Sequence, residues 1–195
     1  LLDGKATLSE FRQLAESLVA AGADILQLRD KHSTDRELLG RARILREITA
    51  GSEALFIMND RPDLAALSRA DGVHVGQDEL CVKDVRQIVG PKMLVGVSTH
   101  SVEQARQAVL DGADYIGVGP VFASGTKEFP HFPGTALLRD VSAEIRLPAF
   151  AIGGITCENL GEVLAAGCTR VAVSGAVLKA EDPAAAARKL LSVLK

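Results

Sequence analysis

The sequence predicts an α/β fold of the (β/α)₈ TIM-barrel class, formed by a single domain over residues 1–195. Short apolar segments alternate with amphipathic ones along the chain, as in a parallel sheet covered by helices. The composition is 47% hydrophobic and has no tryptophan, which is enough apolar surface for a core of closely packed helices and strands. Two strand-like stretches, 151–155 and 171–177, run directly into glycine. This pattern is typical of the phosphate-binding loops after strands seven and eight of such barrels.

The periodicity divides the chain into seven complete strands, each followed by a helix. The strand segments are short and mostly apolar, and they lie at 24–30, 54–60, 72–76, 93–98, 114–119, 148–154 and 170–175. The helical segments have apolar residues three and four positions apart, and they lie at 11–22, 37–50, 62–69, 82–90, 101–112, 135–145, 159–167 and 183–194. Pro62 suits the first turn of the third helix. Ser101 and Gln104 have the spacing of a capping box.

A closed barrel needs an eighth strand. Leu1 and Leu2 precede Asp3-Gly4, and we interpret them as the end of a first strand, within which the sequence is expected to begin. The length of 195 residues is below the ~250 typical of this fold, which fits short loops and a truncated first strand. A doubly wound sheet is the alternative. Its first strand–helix turn should carry a glycine-rich fingerprint, and none stands at the front of this chain.

Composition argues against several classes of function. The formal net charge is −3 and aromatic residues make up 4% of the chain, so neither a basic face nor a base-stacking surface for nucleic acid is indicated. No apolar run approaches the ~18 residues of a membrane span, and no signal peptide is visible. Cys81, Cys157 and Cys168 lie outside any C-x-x-C spacing, as expected for free thiols in a reducing cytoplasm. We expect a cytoplasmic protein that binds small molecules, and the sequence leaves a homo-oligomer open.

Basic and amide side chains follow the first complete strand. Period-two alternation places Gln27, Arg29 and Lys31 on one side of it. An amide, a guanidinium and an ammonium in a row suit a heterocycle bearing a polyphosphate. A solvated charged turn is the alternative interpretation.

Carboxylates follow the next two strands. Asp60 ends one, and Asp78 and Glu79 come after the other. Two carboxylates beside phosphates form a typical Mg²⁺ site, so Asp60 with Glu79 or Asp78 could share one ion. Helix capping is the alternative, and it explains a single acid better than a matched pair.

The connection over residues 119–134 is the longest between predicted elements, and a long loop at the catalytic end of a barrel is a candidate lid. Its Ser124, Thr126 and Lys127 are residue types that bind phosphate. Together with the glycine turns, they predict two phosphate sites. No spacing indicates a Ser–His–Asp or Cys–His nucleophile, so covalent catalysis is not favoured.

The chain resembles the thiamine phosphate synthase family in eight segments that occur in order along nearly its whole length. They are QLRDK (27–31), NDRPDLA (59–65), DGVHVGQ (71–77), GVSTHS (96–101), GADYIGVGPVF (112–122), GTK (125–127), AIGGI (151–155) and VAVSGAV (171–177). The resemblance implies a Mg²⁺-dependent transferase. It would join 4-amino-5-hydroxymethyl-2-methylpyrimidine diphosphate to 4-methyl-5-(2-hydroxyethyl)thiazole phosphate and release pyrophosphate by a dissociative mechanism.

The resemblance also implies roles for the matching residues. The pyrimidine diphosphate would be held by Gln27, Arg29, Lys31 and Asn59. The metal would be bound by Asp60 and Glu79, with Asp78 in reserve. The leaving diphosphate would be contacted by Ser98 and Lys127, which with Arg29 and Lys31 form the expected catalytic set. The thiazole phosphate would be held by Ser124, Thr126, Gly154, Val173 and Ser174.

The chain departs from the family pattern at three places. The family usually has Glu-Asp or Asp-Asp where this chain has Asp78-Glu79, and its lid motif Pro-Thr-x-Thr-Lys is Ala-Ser-Gly-Thr-Lys here, at 123–127. Residues 128–133 also differ from the family's usual basic loop. The alternatives are a thiazole tautomerase-like isomerase, another phosphate-handling barrel such as an enzyme of tryptophan synthesis, and a non-catalytic barrel that binds thiazole phosphate or thiamine phosphate.

Overall fold

The strands of the protein form one parallel sheet. The structure is a computed structural model that describes residues 1–4, 6–123 and 134–194. The strands are β1 (Ile25–Leu28), β2 (Leu55–Asn59), β3 (Gly72–Val75), β4 (Leu94–Thr99), β5 (Tyr115–Val118), β6 (Ala149–Ile152) and β7 (Val171–Ala172). They are hydrogen-bonded in chain order, and every pair is parallel. Because parallel neighbours need a crossover connection, a helix lies between each strand and the next.

Each of the eight predicted helical segments corresponds to a helix, in the same order. One further short helix was not predicted. The helices are α1 (Leu8–Ala20), α2 (Asp35–Ala50), α3 (Pro62–Ser68), α4 (Val82–Val89), α5 (Val102–Leu110), α6 (Gly134–Glu144), α7 (Leu160–Ala165), α8 (Gly175–Leu178) and α9 (Pro183–Leu194). The short helix α8 replaces the end of the predicted strand 170–175, so β7 has only two residues.

Helix starts follow local capping chemistry. Helix α1 begins three residues before the predicted start, because Thr7 and Glu10 form a reciprocal capping box that the sequence reading missed. The cap at Ser101 is confirmed, since its hydroxyl accepts from the amide of Gln104 at 3.2 Å. The Gln104 side chain does not return this bond to Ser101, and it accepts from the amide of His100 at 2.7 Å.

The two edge strands, β1 and β7, are linked at one end by the first two residues. Leu2 forms an isolated parallel bridge with Leu28. The backbone nitrogen of Leu1 donates to the carbonyl of Val173 at 2.9 Å. Within the described residues the sheet has seven strands, so the structure shows a half-barrel, and the predicted ring of eight strands is not confirmed by it.

Side chains alternate between the two faces of the sheet along each strand, so one face packs on the helices and the other faces inward. Outward side chains such as Phe56, Met58 and Val73 are fully buried in one apolar cluster with the helices. Inward side chains line a cavity of about 850 Å³ inside the curve of the sheet, which opens between β1 and β7 toward α1 and α9. This cavity is lined mainly by apolar side chains, and Gln27, His74, Ser98 and Tyr115 are among its polar ones.

Replacing Phe56 with alanine is expected to lower the free energy of unfolding by about 3–5 kcal/mol. The ring is fully buried in β2, and its removal loses apolar burial and leaves a void. Leu67→Ala is the matched control, because Leu67 is 64% exposed and its truncation should change stability by less than about 0.5 kcal/mol. Urea denaturation measures both, and equal losses would show that the outer face is not the core.

Candidate active site

A cation and two carboxylates meet at the carboxyl ends of β1, β2 and β3. The ammonium of Lys31 lies 3.3 Å from Oδ2 of Asp60 and 3.7 Å from Oε1 of Glu79. Burial and the nearby charge of Glu79 raise the pKa of the Asp60 carboxyl, against the opposing effect of Lys31 and Arg29. Two carboxylates from neighbouring loops thus share one cation, and Glu79, not Asp78, is the acid that approaches Lys31.

Asp60 is held in an unusual backbone conformation. Its φ of 62° lies in the left-handed region, which non-glycine residues seldom adopt and which often marks a functional position. Its amide donates to the carbonyl of His74 at 2.8 Å, which extends the β2–β3 pairing by one residue. This bond fixes the position of the carboxylate relative to β3.

Glu79 reaches the same place because Gly76 leaves room for it. A Cβ atom at Gly76 would lie 2.3 Å from Oε2 of Glu79, which is far inside van der Waals contact. A residue larger than glycine at position 76 would therefore displace this carboxylate from the cluster.

The β1–α2 loop that carries Lys31 is anchored by Asp30. One carboxylate oxygen of Asp30 accepts from the amides of His32 at 2.9 Å and Ser33 at 3.1 Å. The other lies 3.9 Å from the largely buried guanidinium of Arg41, which donates to the carbonyl of Gly4 at 2.8 Å. Sequence reasoning missed this anchor, although an acid between two basic residues in QLRDK was a visible signal.

Ser98 is held from both its side chain and its backbone. Its hydroxyl lies 2.9 Å from Nε2 of His74, and Nδ1 of the same ring lies 3.2 Å from the hydroxyl of Tyr115. The side-chain amide of Gln77 donates to the Ser98 carbonyl at 2.6 Å. Sequence reasoning assigned no role to His74 or Tyr115, and their signal was a polar ring at an inward position of an otherwise apolar strand.

The glycine turns after β6 and β7 lie side by side, because these strands pair through Ala151 with Val171. Gly154 has a φ of 61°, and a Cβ atom there would lie 2.4 Å from the carbonyl oxygen of Ala123, so the close approach of the two loops requires glycine. The side-chain amide of Asn159 donates to the Gly154 carbonyl at 2.9 Å. These contacts hold a backbone turn at the edge of the sheet formed by the carboxyl ends of the strands, which we call the rim.

The turn after β7 also contacts the first residue. The Ser174 hydroxyl donates to the carbonyl of Leu1 at 3.4 Å, next to the bond between Leu1 and Val173. The predicted residues Val173 and Ser174 thus lie where Leu1 joins the end of the sheet.

The structure places the described site residues in separate groups: the Lys31, Asp60 and Glu79 cluster, the residues of the cavity, and the turns at Gly154 and Ser174. Gln27, Ser98 and Val173 line one cavity with His74 and Tyr115. Asn59 ends β2 directly before Asp60, and Arg29 is near enough to lower the pKa of Asp60. Three predicted phosphate ligands, Ser124, Thr126 and Lys127, lie outside the described residues.

In the part of the chain that the structure describes, no group of three or more His, Cys, Asp or Glu side chains is arranged to hold a metal ion. The carboxylate pair therefore offers two protein ligands at most. Mg²⁺ is commonly bound by one or two carboxylates and completed by substrate phosphates and water, so the donor set fits Mg²⁺ with a phosphorylated ligand.

The fold and these side chains define an α/β half-barrel protein with charged and polar residues at the carboxyl ends of its strands. The chain belongs to the family described as thiamine monophosphate synthase, which matches residues 2–177.

Relatives with similar sequences carry a matching name. The thiamine-phosphate synthase of Rhodopirellula baltica is 50% identical over 165 residues, which are 82% of this chain and 44% of that protein. The thiamine-phosphate synthase of Moorella thermoacetica is 44% identical over 93% of this chain and 87% of that protein. The chain spans about half the length of several curated relatives that it matches.

A solved structure shares the fold. The thiamine phosphate pyrophosphorylase from Pyrococcus furiosus superposes with a TM-score of 0.86 at 34% identity, over 97% of this chain and 90% of that one. At this identity the likeness extends beyond the fold class to the sequence, in agreement with the family assignment.

Proposed function

We propose that this chain has thiamine phosphate synthase activity. It would couple hydroxymethylpyrimidine diphosphate with hydroxyethylthiazole phosphate to give thiamine phosphate and pyrophosphate. The observation that carries the proposal is the pair of carboxylates, Asp60 and Glu79, that share one cation at the rim. A carboxylate pair that holds Mg²⁺ beside substrate phosphates suits a reaction in which a diphosphate leaves.

Mg²⁺ is the proposed cofactor, held by Asp60 and Glu79. The raised pKa of Asp60 supports this, because carboxylates that repel each other in a partly buried place gain most from a cation between them. When bound, the metal would neutralise charge on the departing diphosphate. Lys31, which now pairs with both carboxylates, would then be free to contact the diphosphate oxygens.

The remaining rim residues supply charge and orientation. Gln27 faces the cavity and would hold the pyrimidine ring beside Asn59, while Arg29 and Ser98 would donate to the diphosphate. Gly154 and Ser174 would receive the thiazole phosphate on the neighbouring turns of β6 and β7. Ser124 and Thr126 for the thiazole phosphate, and Lys127 for the diphosphate, are proposed from the resemblance alone, since they lie outside the described residues. Arg29 and Lys31 would supply positive charge and the Ser98 hydroxyl a hydrogen-bond donor, which suits departure of pyrophosphate before attack by the thiazole nitrogen.

For the fold, we propose a (β/α)₈ barrel in which Leu1 and Leu2 occupy the position of the eighth strand, between β7 and β1. Three backbone hydrogen bonds support it: Leu2 donates to Gln27 at 2.7 Å, Arg29 donates to Leu2 at 2.8 Å, and Leu1 donates to Val173 at 2.9 Å. They join both edges of the half-barrel at the rim, where the phosphate-binding turns lie.

Compartment and assembly stay predictions. No helix among the described residues is long and apolar enough to cross a membrane. Cys81, Cys157 and Cys168 are free thiols, which supports the proposed location in a reducing cytoplasm. The homo-oligomer that the sequence left open has no further support.

The protein incubated with both substrates and Mg²⁺ is expected to release pyrophosphate and thiamine phosphate in equal amounts. Chelation by EDTA should reduce the rate by at least about 100-fold, because a metal-stabilised leaving group contributes several kcal/mol. Chromatography with a coupled pyrophosphate assay measures both products. Tight binding of thiazole phosphate without turnover would favour the non-catalytic barrel and refute the proposal.

A further inference from the structure

A chain of three polar side chains crosses the inner face of the sheet from β5 to β4 through β3. The Tyr115 hydroxyl lies 3.2 Å from Nδ1 of His74, and Nε2 of His74 lies 2.9 Å from the Ser98 hydroxyl. The His74 and Tyr115 rings are 5.5 Å apart at an angle of 37°. Both ring nitrogens of His74 are therefore engaged, one toward the interior and one toward Ser98.

The His74 ring lies between two hydroxyl groups, and no carboxylate is among its hydrogen-bond partners in the described residues. A neutral imidazole has one N–H donor and one acceptor nitrogen, so the chain of hydrogen bonds can run in only two directions. In one, Ser98 donates to Nε2, and Nδ1–H donates to Tyr115. In the other, Tyr115 donates to Nδ1, and Nε2–H donates to the Ser98 oxygen.

The surroundings of Tyr115 favour the second direction. Its ring packs edge-on against Phe150 at 5.6 Å, and burial raises the pKa of its hydroxyl, so the phenol keeps its proton. Among the residues that the structure describes, His74 is the hydrogen-bond partner of this hydroxyl. If the phenol oxygen accepted a hydrogen bond from Nδ1–H, its own O–H would lose Nδ1 as an acceptor, which is costly in a buried place.

The direction of the chain decides what Ser98 presents to a ligand. If Nε2–H donates to Ser98, the serine hydroxyl hydrogen is free to point out of the chain as a donor. If Ser98 donates to Nε2, its oxygen presents lone pairs, which repel an anion. The side-chain amide of Gln77 donates to the Ser98 carbonyl and fixes its backbone. The direction of the Ser98 hydroxyl hydrogen then depends on His74.

We propose that His74 is a positioning residue: together with Tyr115 it holds the Ser98 hydroxyl as a hydrogen-bond donor directed at the diphosphate. The inference rests on the proposed function for the role of Ser98. It goes beyond that function by giving His74 and Tyr115 a role in orienting the Ser98 hydroxyl. An oriented donor aimed at developing negative charge is a common source of rate enhancement.

The first test uses the wild-type protein without substrates. ¹⁵N-histidine labelling and long-range ¹H–¹⁵N correlation spectra identify which nitrogen of His74 carries the proton. We expect the proton on Nε2 at pH 7. A proton on Nδ1 would overturn the proposal, whether or not the protein proves to be a synthase.

The second test is kinetic and uses two variants of one position. His74→Gln can donate from its amide nitrogen to Ser98 and accept from Tyr115 with its oxygen, so kcat should stay within about 3-fold of wild type. His74→Leu removes both bonds, and kcat should fall about 10-fold with KM changed less than about 2-fold. Equal losses in the two variants would refute the positioning role and indicate a packing role.

The third test asks whether His74 acts through Ser98. In a Ser98→Ala background, His74→Leu should cause no further loss of kcat, because the hydroxyl that it orients is already gone. A full 10-fold additional loss in the double variant would show an independent effect of His74. If wild-type protein has no synthase activity, the proposed function fails while the proton position still judges the hydrogen-bond chain.

Discussion

Asp60→Asn is expected to reduce turnover at least about 100-fold while the protein stays folded. The variant removes one of the two carboxylates that lie beside the ammonium of Lys31 and are proposed to hold Mg²⁺. A group that binds the metal at a leaving diphosphate contributes several kcal/mol to catalysis. Asparagine tolerates the left-handed conformation of this position, where φ is 62°. Initial rates at saturating Mg²⁺ measure the loss.

The same variant is expected to be more stable than wild type at pH 7. The pKa of Asp60 is raised in the folded protein, above the value of about 3.9 in an unfolded chain. The folded state therefore holds this proton more tightly, and ionisation of Asp60 lowers the free energy of unfolding as the pH rises through the folded pKa. The gain from Asn should be complete at neutral pH and vanish below about pH 3.9, as urea denaturation across that range would show.

Asp63→Asn is the matched control for Asp60→Asn. Asp63 lies three residues further on, half-exposed and paired with Arg61 at 2.6 Å, away from Lys31. Its replacement should leave turnover within about 2-fold, because exposed ion pairs contribute little. Near-normal turnover of Asp60→Asn, or an equal loss in Asp63→Asn, would show that the carboxylate cluster is not the metal site.

Glu79→Gln is expected to lower turnover by about 10- to 100-fold and to raise the Mg²⁺ concentration needed for half-maximal rate. Its carboxylate lies 3.7 Å from the ammonium of Lys31, in the space that the missing side chain of Gly76 leaves. Loss of a negative ligand weakens a site that already has few protein donors. A titration of rate against Mg²⁺ separates weaker metal binding from a slower bound enzyme.

Asp78→Asn distinguishes the two acids that the sequence left as alternatives. The structure brings Glu79, its neighbour, to the cluster, so Asp78→Asn should change the Mg²⁺ titration by less than about 2-fold. The reverse result, with Asp78 sensitive and Glu79 tolerant, would assign the second ligand to Asp78.

The alternation of strands and helices was predictable because each segment has its own period of apolar residues. The order β1 to β7 followed, since short connections leave sequential parallel strands as neighbours. The start of α1 was wrong because a capping box at Thr7 depends on two side chains and not on apolar periodicity. The end of β7 was wrong because Ser174 turns the chain into a short helix within an apolar run.

The carboxylate cluster was predictable for a topological reason. Parallel strands end at one edge, so residues after consecutive strands must meet there, and Lys31, Asp60 and Glu79 do so. The resemblance favoured Glu79 over Asp78, but spacing alone left both open, because the position of the Glu79 carboxylate depends on the space that Gly76 leaves.

The Tyr115–His74–Ser98 chain could not be derived from spacing. Tyr115 and His74 are 41 residues apart and sit on strands that are not neighbours, with β4 between them. They meet across β4 because Gly96 has no side chain there: a Cβ atom at Gly96 would lie 2.0 Å from Cζ of Tyr115. Sequence periodicity places residues on a face, but it does not show which glycine leaves room for two of them to touch.

The bonds from Leu1 to Val173 and from Ser174 to Leu1 join residues 172 and 173 positions apart. The turn proposed to receive the thiazole phosphate is thus held by contacts between residues that are far apart in sequence and meet only in the folded chain. An anion bound there would favour the assembled state over all partly formed ones by mass action. The monophosphate substrate is therefore expected to serve as a folding ligand as well as a reactant.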